Sequence, residues 1–134
     1  MEKRVVSTER APAAIGPYSQ AIAAGELLFL SGQIPLHPET GELVRSSIED
    51  ETRRVLENVR AVVEAAGSSL EAVVKTTIYL TDLGDFAKVN GVYAEYFPKA
   101  PPARATVQVA ALPKGARVEI EAIASIARSR GAEP

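Results

Sequence analysis

Arg104 and Glu119 are the residues whose types and settings point most directly to chemistry in this chain. Arg104 stands between Pro101-Pro102 and the strand-like run Ala103 to Ala110. A guanidinium is always charged and its planar fork matches a carboxylate bidentately, so this residue is either an anion anchor or half of a structural ion pair. Glu119 stands among Val118, Ile120 and Ala122. A carboxylate on such a strand is either solvated at an edge or held for acid-base work, since burial raises its pKa toward neutrality. Glu121 shares its parity, and periodicity does not separate the two. Ser31-Gly32 closes a strand with two small residues that either let a ligand or another backbone come close or simply end the strand. Tyr18, after Gly16-Pro17, offers a ring to cover a pocket and a hydroxyl to donate, or ordinary packing. Asn90 lies among Val89, Val92 and Tyr93, where a poor helix former marks either a specific hydrogen bond or a solvent-facing site. His37, in a Pro-flanked loop with no second His, Cys or paired carboxylate beside it, is given no role.

Elements must position these residues. Arg4 to Ser7 reads as a short strand, and Gln20 to Ala24 and Glu26 to Gln33 as a hairpin turned at Gly25. Pro35 to Gly41 is a surface loop. The spacing of Ile48, Val55, Leu56, Val59, Val62, Val63 and Ala66 predicts an amphipathic helix, with Ser46 and Glu49 as a capping box and Gly67 as the stop. Leu70 to Val73 adds a helical turn, and Val74 to Thr81 reads as a strand. Asp82 and Asp85 then cap a second helix whose Phe86, Val89, Tyr93 and Phe97 share one side until Pro98. Ala103 to Ala110 and Ala116 to Ala127 are two more strands, separated by a turn at Pro113-Lys114-Gly115.

This order suits an α+β fold, a mixed sheet with both helices on one face. Leu28 and Leu30 point one way while Leu27 and Phe29 point the other, and Val118, Ile120 and Ala122 oppose Glu119, Glu121 and Ile123. Two helices cover one face, so the second is expected to be buried against further copies in a closed homo-oligomer. The same alternation groups Arg104 with Thr106 and Gln108, opposite Val107 and Val109, and assigns it to the less apolar, intersubunit face.

The chain has 134 residues, 46% hydrophobic and 24% charged, which suits one folded domain over 1–134, with loosened ends at the first few residues and at Ser129 to Pro134. Fifteen Lys and Arg against 17 Asp and Glu, net −2, leave no basic field for a nucleic-acid backbone. The absence of cysteine removes disulfides and thiolate chemistry, and one histidine excludes a multi-His metal centre. No stretch approaches the roughly 20 apolar residues of a membrane span, and no signal segment is visible, so a cytoplasmic protein is expected. No P-loop, dinucleotide fingerprint or Ser-His-Asp set is present.

Seven separated runs nevertheless carry a family resemblance. Ile15-Gly16-Pro17-Tyr18-Ser19-Gln20, Ser31-Gly32-Gln33-Ile34-Pro35, Glu57-Asn58-Val59, Val74-Lys75-Thr76-Thr77, Asp85-Phe86 with Val89-Asn90, Pro102-Ala103-Arg104 and Val118-Glu119-Ile120-Glu121-Ala122 resemble the RidA/YjgF family of reactive intermediate deaminases. The resemblance extends from about Ile15 to Ala127. It implies a chorismate-mutase-like fold assembled as a homotrimer with sites between subunits. It also implies hydrolysis of enamines and imines such as 2-aminoacrylate to a 2-oxo acid and ammonia, as a 2-iminobutanoate/2-iminopropanoate deaminase, with no metal or cofactor. By the same resemblance Arg104 binds the substrate carboxylate, and Glu119 activates water and relays protons to the departing ammonia. Tyr18, Ser31 and Asn90 are then pocket positions, with backbone groups near Gly32 and Thr106 assisting the carboxylate contact. Many members carry Cys where this chain has Thr106, which removes any thiol-based switch here. The alternatives are a non-catalytic trimer that binds a 2-oxo acid and, behind it, an endoribonuclease or translation inhibitor, against which the balanced charge argues.

Overall fold

The computed structural model describes residues 2–127; the expected loosening at Ser129 to Pro134 lies outside them. Strands β1 (Lys3–Val6), β2 (Ala21–Ala24) and β3 (Leu27–Gln33) come first, then helix α1 (Ile48–Ala65). Strand β4 (Val73–Leu80), helix α2 (Phe86–Tyr96), β5 (Ala103–Gln108) and β6 (Val118–Ser125) complete the order. The strands form a single sheet in the order β1-β2-β3-β6-β4-β5. Only β4 and β5 pair in parallel, which makes the sheet mixed as expected.

The β2–β3 hairpin closes through Gly25, whose φ of 60° lies in the left-handed region that a residue without a Cβ enters readily. Helix α1 forms because its apolar residues recur along one stripe: Val55, Leu56, Val59, Val62 and Val63 are fully buried. They pack on the inward side chains Leu28, Leu30, Ile78, Leu80, Val118 and Ile120 of the sheet. Helix α2 adds Val89, Val92 and Tyr93 to the same core.

Two caps differ from expectation. The N-cap of α1 is Ser47, whose hydroxyl accepts from the Asp50 N–H at 3.1 Å, while Ser46 Oγ instead donates to the Asp50 carboxylate at 2.9 Å. Asp82 caps a short 3-10 turn, Leu83–Asp85, by accepting from the Gly84 N–H at 2.8 Å, and Asp85 makes no capping bond to α2. The second helix therefore starts one turn later than Asp82 suggested, and Phe86 at its first position is exposed and does not join the core.

Among the described residues, no layer covers the far face of the sheet. Leu27 and Phe29 stand 40% and 42% exposed there, and Val107 is exposed on the same side. Both-faced apolar strands are thus present as expected.

At its start, α1 is tied to the beginning of β6 by a buried ion pair. Glu51, 3% exposed, receives both Arg117 Nε and Nη2, and Arg117 Nη2 also donates to the Ser46 carbonyl at 2.8 Å. Breaking a buried charge pair costs more than its net worth, because the remaining partner is left desolvated. Arg117 is half-exposed and water can recover part of that loss. Glu51→Gln is therefore expected to lower the unfolding free energy by about 1–2 kcal/mol, read as a lower urea midpoint with an unchanged m-value.

Candidate active site

The site begins with an irregularity in β3. Leu30 pairs with Ala122 but Gln33 pairs with Ile120, so one extra residue is accommodated at Ser31-Gly32. Such a bulge re-aims side chains. It makes Gln33 the partner of Ile120, buried and at the cavity wall, against the simple alternation, and leaves Gly32 against the Glu119 side chain, with Ser31 lining the same cavity. Ser31 is fixed by its N–H donating to the Gln20 carbonyl at 3.0 Å and its hydroxyl donating to the Ser19 carbonyl at 2.6 Å. A Cβ placed on Gly32 would fall 1.9 Å from Glu119 Oε2, so the group that comes close to the glycine is the carboxylate itself. No side chain fits there while Glu119 keeps its position.

Glu119 lines a cavity of about 540 Å³ together with Tyr18, Ser31, Gly32, Ile34, Leu36 and Lys114. Apolar residues from the N-terminal segment, Pro12, Ala13 and Ile15, add to the wall, and Gln20, Gln33 and Pro113 complete it. Burial among these groups, and secondarily the negative charge of Glu121, push the Glu119 carboxyl above its usual range. This is the distinction that periodicity did not supply: Glu119 is the half-buried member in the cavity and Glu121 is exposed outside it. Tyr18 is largely exposed at the mouth, where its hydroxyl accepts from the Ile15 N–H at 3.4 Å.

Two residues without an assigned role hold this cavity. Gln20, buried, donates from Nε2 to the carbonyls of Thr8, Ala11 and Pro12 at 3.0, 3.3 and 2.7 Å, and its Oε1 accepts from the Thr8 N–H at 2.7 Å. It thereby pins the 8–13 segment over the pocket. Asn58 on α1 binds the carbonyls of Ile34 and Leu36. Both occur in the family-like runs, but a run of letters does not say which backbone an amide will meet.

Arg104 is elsewhere. Its register partner is Thr76, and Thr106 and Gln108 pair with Ile78 and Leu80, all buried on the helix side. The expectation that Arg104 lies on the less apolar face opposite to the core is thus corrected: its parity is that of the helix-covered side. It remains exposed because β5 is the edge strand, and its side chain runs along the flank of α2 instead of entering the core. Glu119, paired with Tyr79, has the opposite parity and faces the uncovered side.

Around Arg104 the environment is aromatic. Its guanidinium lies 5.0 Å from the Tyr93 ring centre and 5.6 Å from that of Phe86, and Nη1 donates to Asn90 Oδ1 at 2.7 Å. Among the described residues no carboxylate pairs with it, so the structural ion pair is not the reading that holds. The rings hold the charge without neutralising it. Asn90 makes the specific bond its mid-helix position suggested. Two residues further on, Thr106 Oγ1 is buried with no hydrogen-bond partner, although a buried hydroxyl ordinarily has one.

One chain thus carries two groups of residues: Tyr18, Ser31, Gly32 and Glu119 around the cavity, and Asn90, Arg104 and Thr106 at the β5 edge, on opposite sides of the sheet. His37 belongs to neither, its backbone being engaged with Glu42 and Gly41. The described residues contain no cluster of three or more His, Cys, Asp or Glu side chains suited to a metal, and no helix long and apolar enough to cross a membrane.

Because like charge is one cause of the raised Glu119 pKa, Glu121→Gln removes it while desolvation stays. The Glu119 titration, followed by carboxyl carbon NMR, is expected to move down in this variant and still lie above the ordinary carboxylate range.

Comparison with known proteins agrees with this architecture. The family model described as Endoribonuclease L-PSP matches residues 8–126. The Reactive Intermediate Deaminase A of Arabidopsis thaliana, a chloroplastic protein, is 57% identical over 94% of this chain and 67% of its own length. The 2-iminobutanoate/2-iminopropanoate deaminase of Mus musculus is 50% identical, over 91% of this chain and 90% of its own. Among solved structures, a putative endoribonuclease of Thermotoga maritima superposes with a TM-score of 0.91 at 54% identity, covering 95% of this chain and 99% of that one. With the model matching nearly its whole length and these relatives beside it, the chain belongs to the Endoribonuclease L-PSP family, the RidA/YjgF family that its motifs resemble.

Proposed function

We propose that the chain hydrolyses reactive imines and enamines of 2-oxo acids, including 2-aminoacrylate, to the 2-oxo acid and ammonia. The observation that carries this reading is a pair of groups: a carboxyl whose pKa is raised by burial in a cavity, and a guanidinium that, among the described residues, has no carboxylate of its own. The relatives named as deaminases support it.

The chemistry follows from what each group can do. Arg104, oriented by Asn90 and the two rings, binds the substrate carboxylate through its remaining N–H donors, with backbone groups near Thr106 assisting. Glu119 accepts a proton from water as the water oxygen bonds to the imine carbon, and the C=N electron pair moves to nitrogen. The proton is then returned to nitrogen, giving a carbinolamine, whose hydroxyl proton passes through Glu119 to the amino nitrogen as the C–N bond breaks and the carbonyl forms, so that ammonia leaves; an enamine enters the same route once its N–H proton has moved to its terminal carbon, giving the imine. A carboxyl whose pKa lies above the usual range is a stronger base toward water than an ordinary carboxylate and still gives the proton back. An imine hydrolyses unaided in water, so orientation and one proton relay suffice. An RNA substrate is disfavoured by the net charge of −2 and by the absence of histidine from the cavity. Binding of a 2-oxo acid without turnover would need Arg104 but not Glu119.

Because Arg104 and Glu119 lie on opposite sides of one sheet, we place each working site between copies, in a homotrimer. The exposed Leu27, Phe29 and Val107 supply apolar surface for that contact. We infer a cytoplasmic setting for it.

In an assay of 2-oxo acid release, with the imine generated by an amino-acid oxidase, Arg104→Ala is expected to lower kcat/KM by about 100-fold, the loss of a charge-assisted bidentate contact. Glu119→Gln is expected to lower kcat by about 100-fold with KM little changed. Full activity in either variant would overturn its assigned role, and a lack of acceleration by the parent protein would overturn the deaminase reading. A further outcome tests the shared site. Subunit exchange between the two inactive variants should restore part of the activity, because some interfaces then combine an intact Arg104 with an intact Glu119. Sedimentation at the mass of a single chain, or no recovery after demonstrated exchange, would contradict it.

A further inference from the structure

Asn58 does not line the cavity but is hydrogen-bonded to two residues that do, Ile34 and Leu36. It is fully buried, at 0% exposure, on the sheet-facing side of α1. Its Nδ2 donates to the Leu36 carbonyl at 3.0 Å and to the Ile34 carbonyl at 3.3 Å. Its Oδ1 accepts from Arg54 Nε at 3.2 Å and Nη2 at 3.0 Å. The amide orientation is fixed by chemistry, since carbonyls only accept and a guanidinium only donates. All four hydrogen-bonding positions of the side chain are used.

What Asn58 holds is the segment just after β3, where the ladder has ended. Pro35 has no N–H to give, and the Leu36 N–H is turned back onto the Ile34 carbonyl at 2.7 Å. Apart from Asn58, the segment is tied by Val44 N–H donating to the Pro35 carbonyl at 2.8 Å and by the bridge between Leu36 and Leu43. Ile34 and Leu36 present their side chains to the cavity that contains Glu119.

We propose that Asn58 is a specificity-determining positioning residue: by clamping the Ile34 and Leu36 carbonyls from behind, it sets the apolar wall against which the side chain of the imine rests. A wall held in register favours a branched apolar side chain such as that derived from leucine, whereas the smallest imine, derived from alanine, does not reach it. The inference rests on the deaminase reading for its substrate.

The test compares kcat/KM for imines generated from leucine and from alanine. Asn58→Ala is expected to lower the leucine-to-alanine ratio by about tenfold, the usual scale for apolar pocket contacts, mainly through KM for the leucine imine. Arg54→Met, which loosens the clamp from its partly exposed end and leaves Asn58 in place, should move the ratio in the same direction by less. Equal loss on both substrates, or an unchanged ratio, overturns the proposal, because a merely structural residue would lower both alike. Hydrogen exchange separates this failure from failure of the deaminase reading. In Asn58→Ala the Val44 amide, bonded to the Pro35 carbonyl between the two clamped groups, must exchange faster while β4 and β6 keep their protection. If it does not, the clamp is wrong whatever the enzyme acts on; if it does and the parent turns over neither imine, the clamp stands and the substrate reading fails.

Discussion

Six strands and two helices leave one face of a sheet without cover, and most of the molecule is arranged around that constraint. Burial on the helix side is nearly complete: the α1 stripe and the inward residues of β3, β4 and β6 exclude water from a continuous core. On the other side, Leu27 and Phe29 are held out by the same strand alternation that sends Leu28 and Leu30 in. Adjacent exposed apolar side chains of this kind mark a surface that meets a partner. The proposed assembly would serve the apolar surface and the candidate site together, since the Glu119 group and the Arg104 group lie on opposite sides of the sheet.

Charge is managed differently in the two halves. Glu119 is desolvated and faces a like charge, so its proton is held more tightly than in water. Arg104 keeps its full charge and is steadied by π-faces and an amide oxygen, none of which neutralises it. A carboxylate ligand is attracted to the second and, if brought near the first, favours its protonated form further. Elsewhere the protein uses charge conventionally, as where Glu51 and Arg117 join the start of α1 to β6.

Much of this was legible in the residues. Apolar spacing located α1 to within a residue of its end, and alternation assigned the faces of β3 and β6. Strand alternation also grouped Arg104, Thr106 and Gln108 correctly, but it did not say which side they would face. That depends on the register of β5 against β4, a long-range pairing that no local pattern encodes. The bulge at Ser31-Gly32 was hidden for the same reason, because an extra residue is defined only against the strand opposite. The cap moved by one position because two serines stand side by side, and only geometry selects between Ser46 and Ser47. Gln20 and Asn58 were visible as letters in family-like runs, while their work consists of bonds to backbone carbonyls far along the chain.

The close approach of the Glu119 carboxylate to Gly32 has a consequence for how such a chain can change over generations. The glycine is excluded from having a side chain by an oxygen belonging to a residue far away in sequence, not by its own backbone. The two positions therefore drift as a couple. Once a lineage loses the acid at 119, the ban at 32 is lifted and a methyl or hydroxymethyl group can settle into the vacated space. Afterwards, an acid returning to 119 meets an occupied seat and has to take another side-chain conformation to fit.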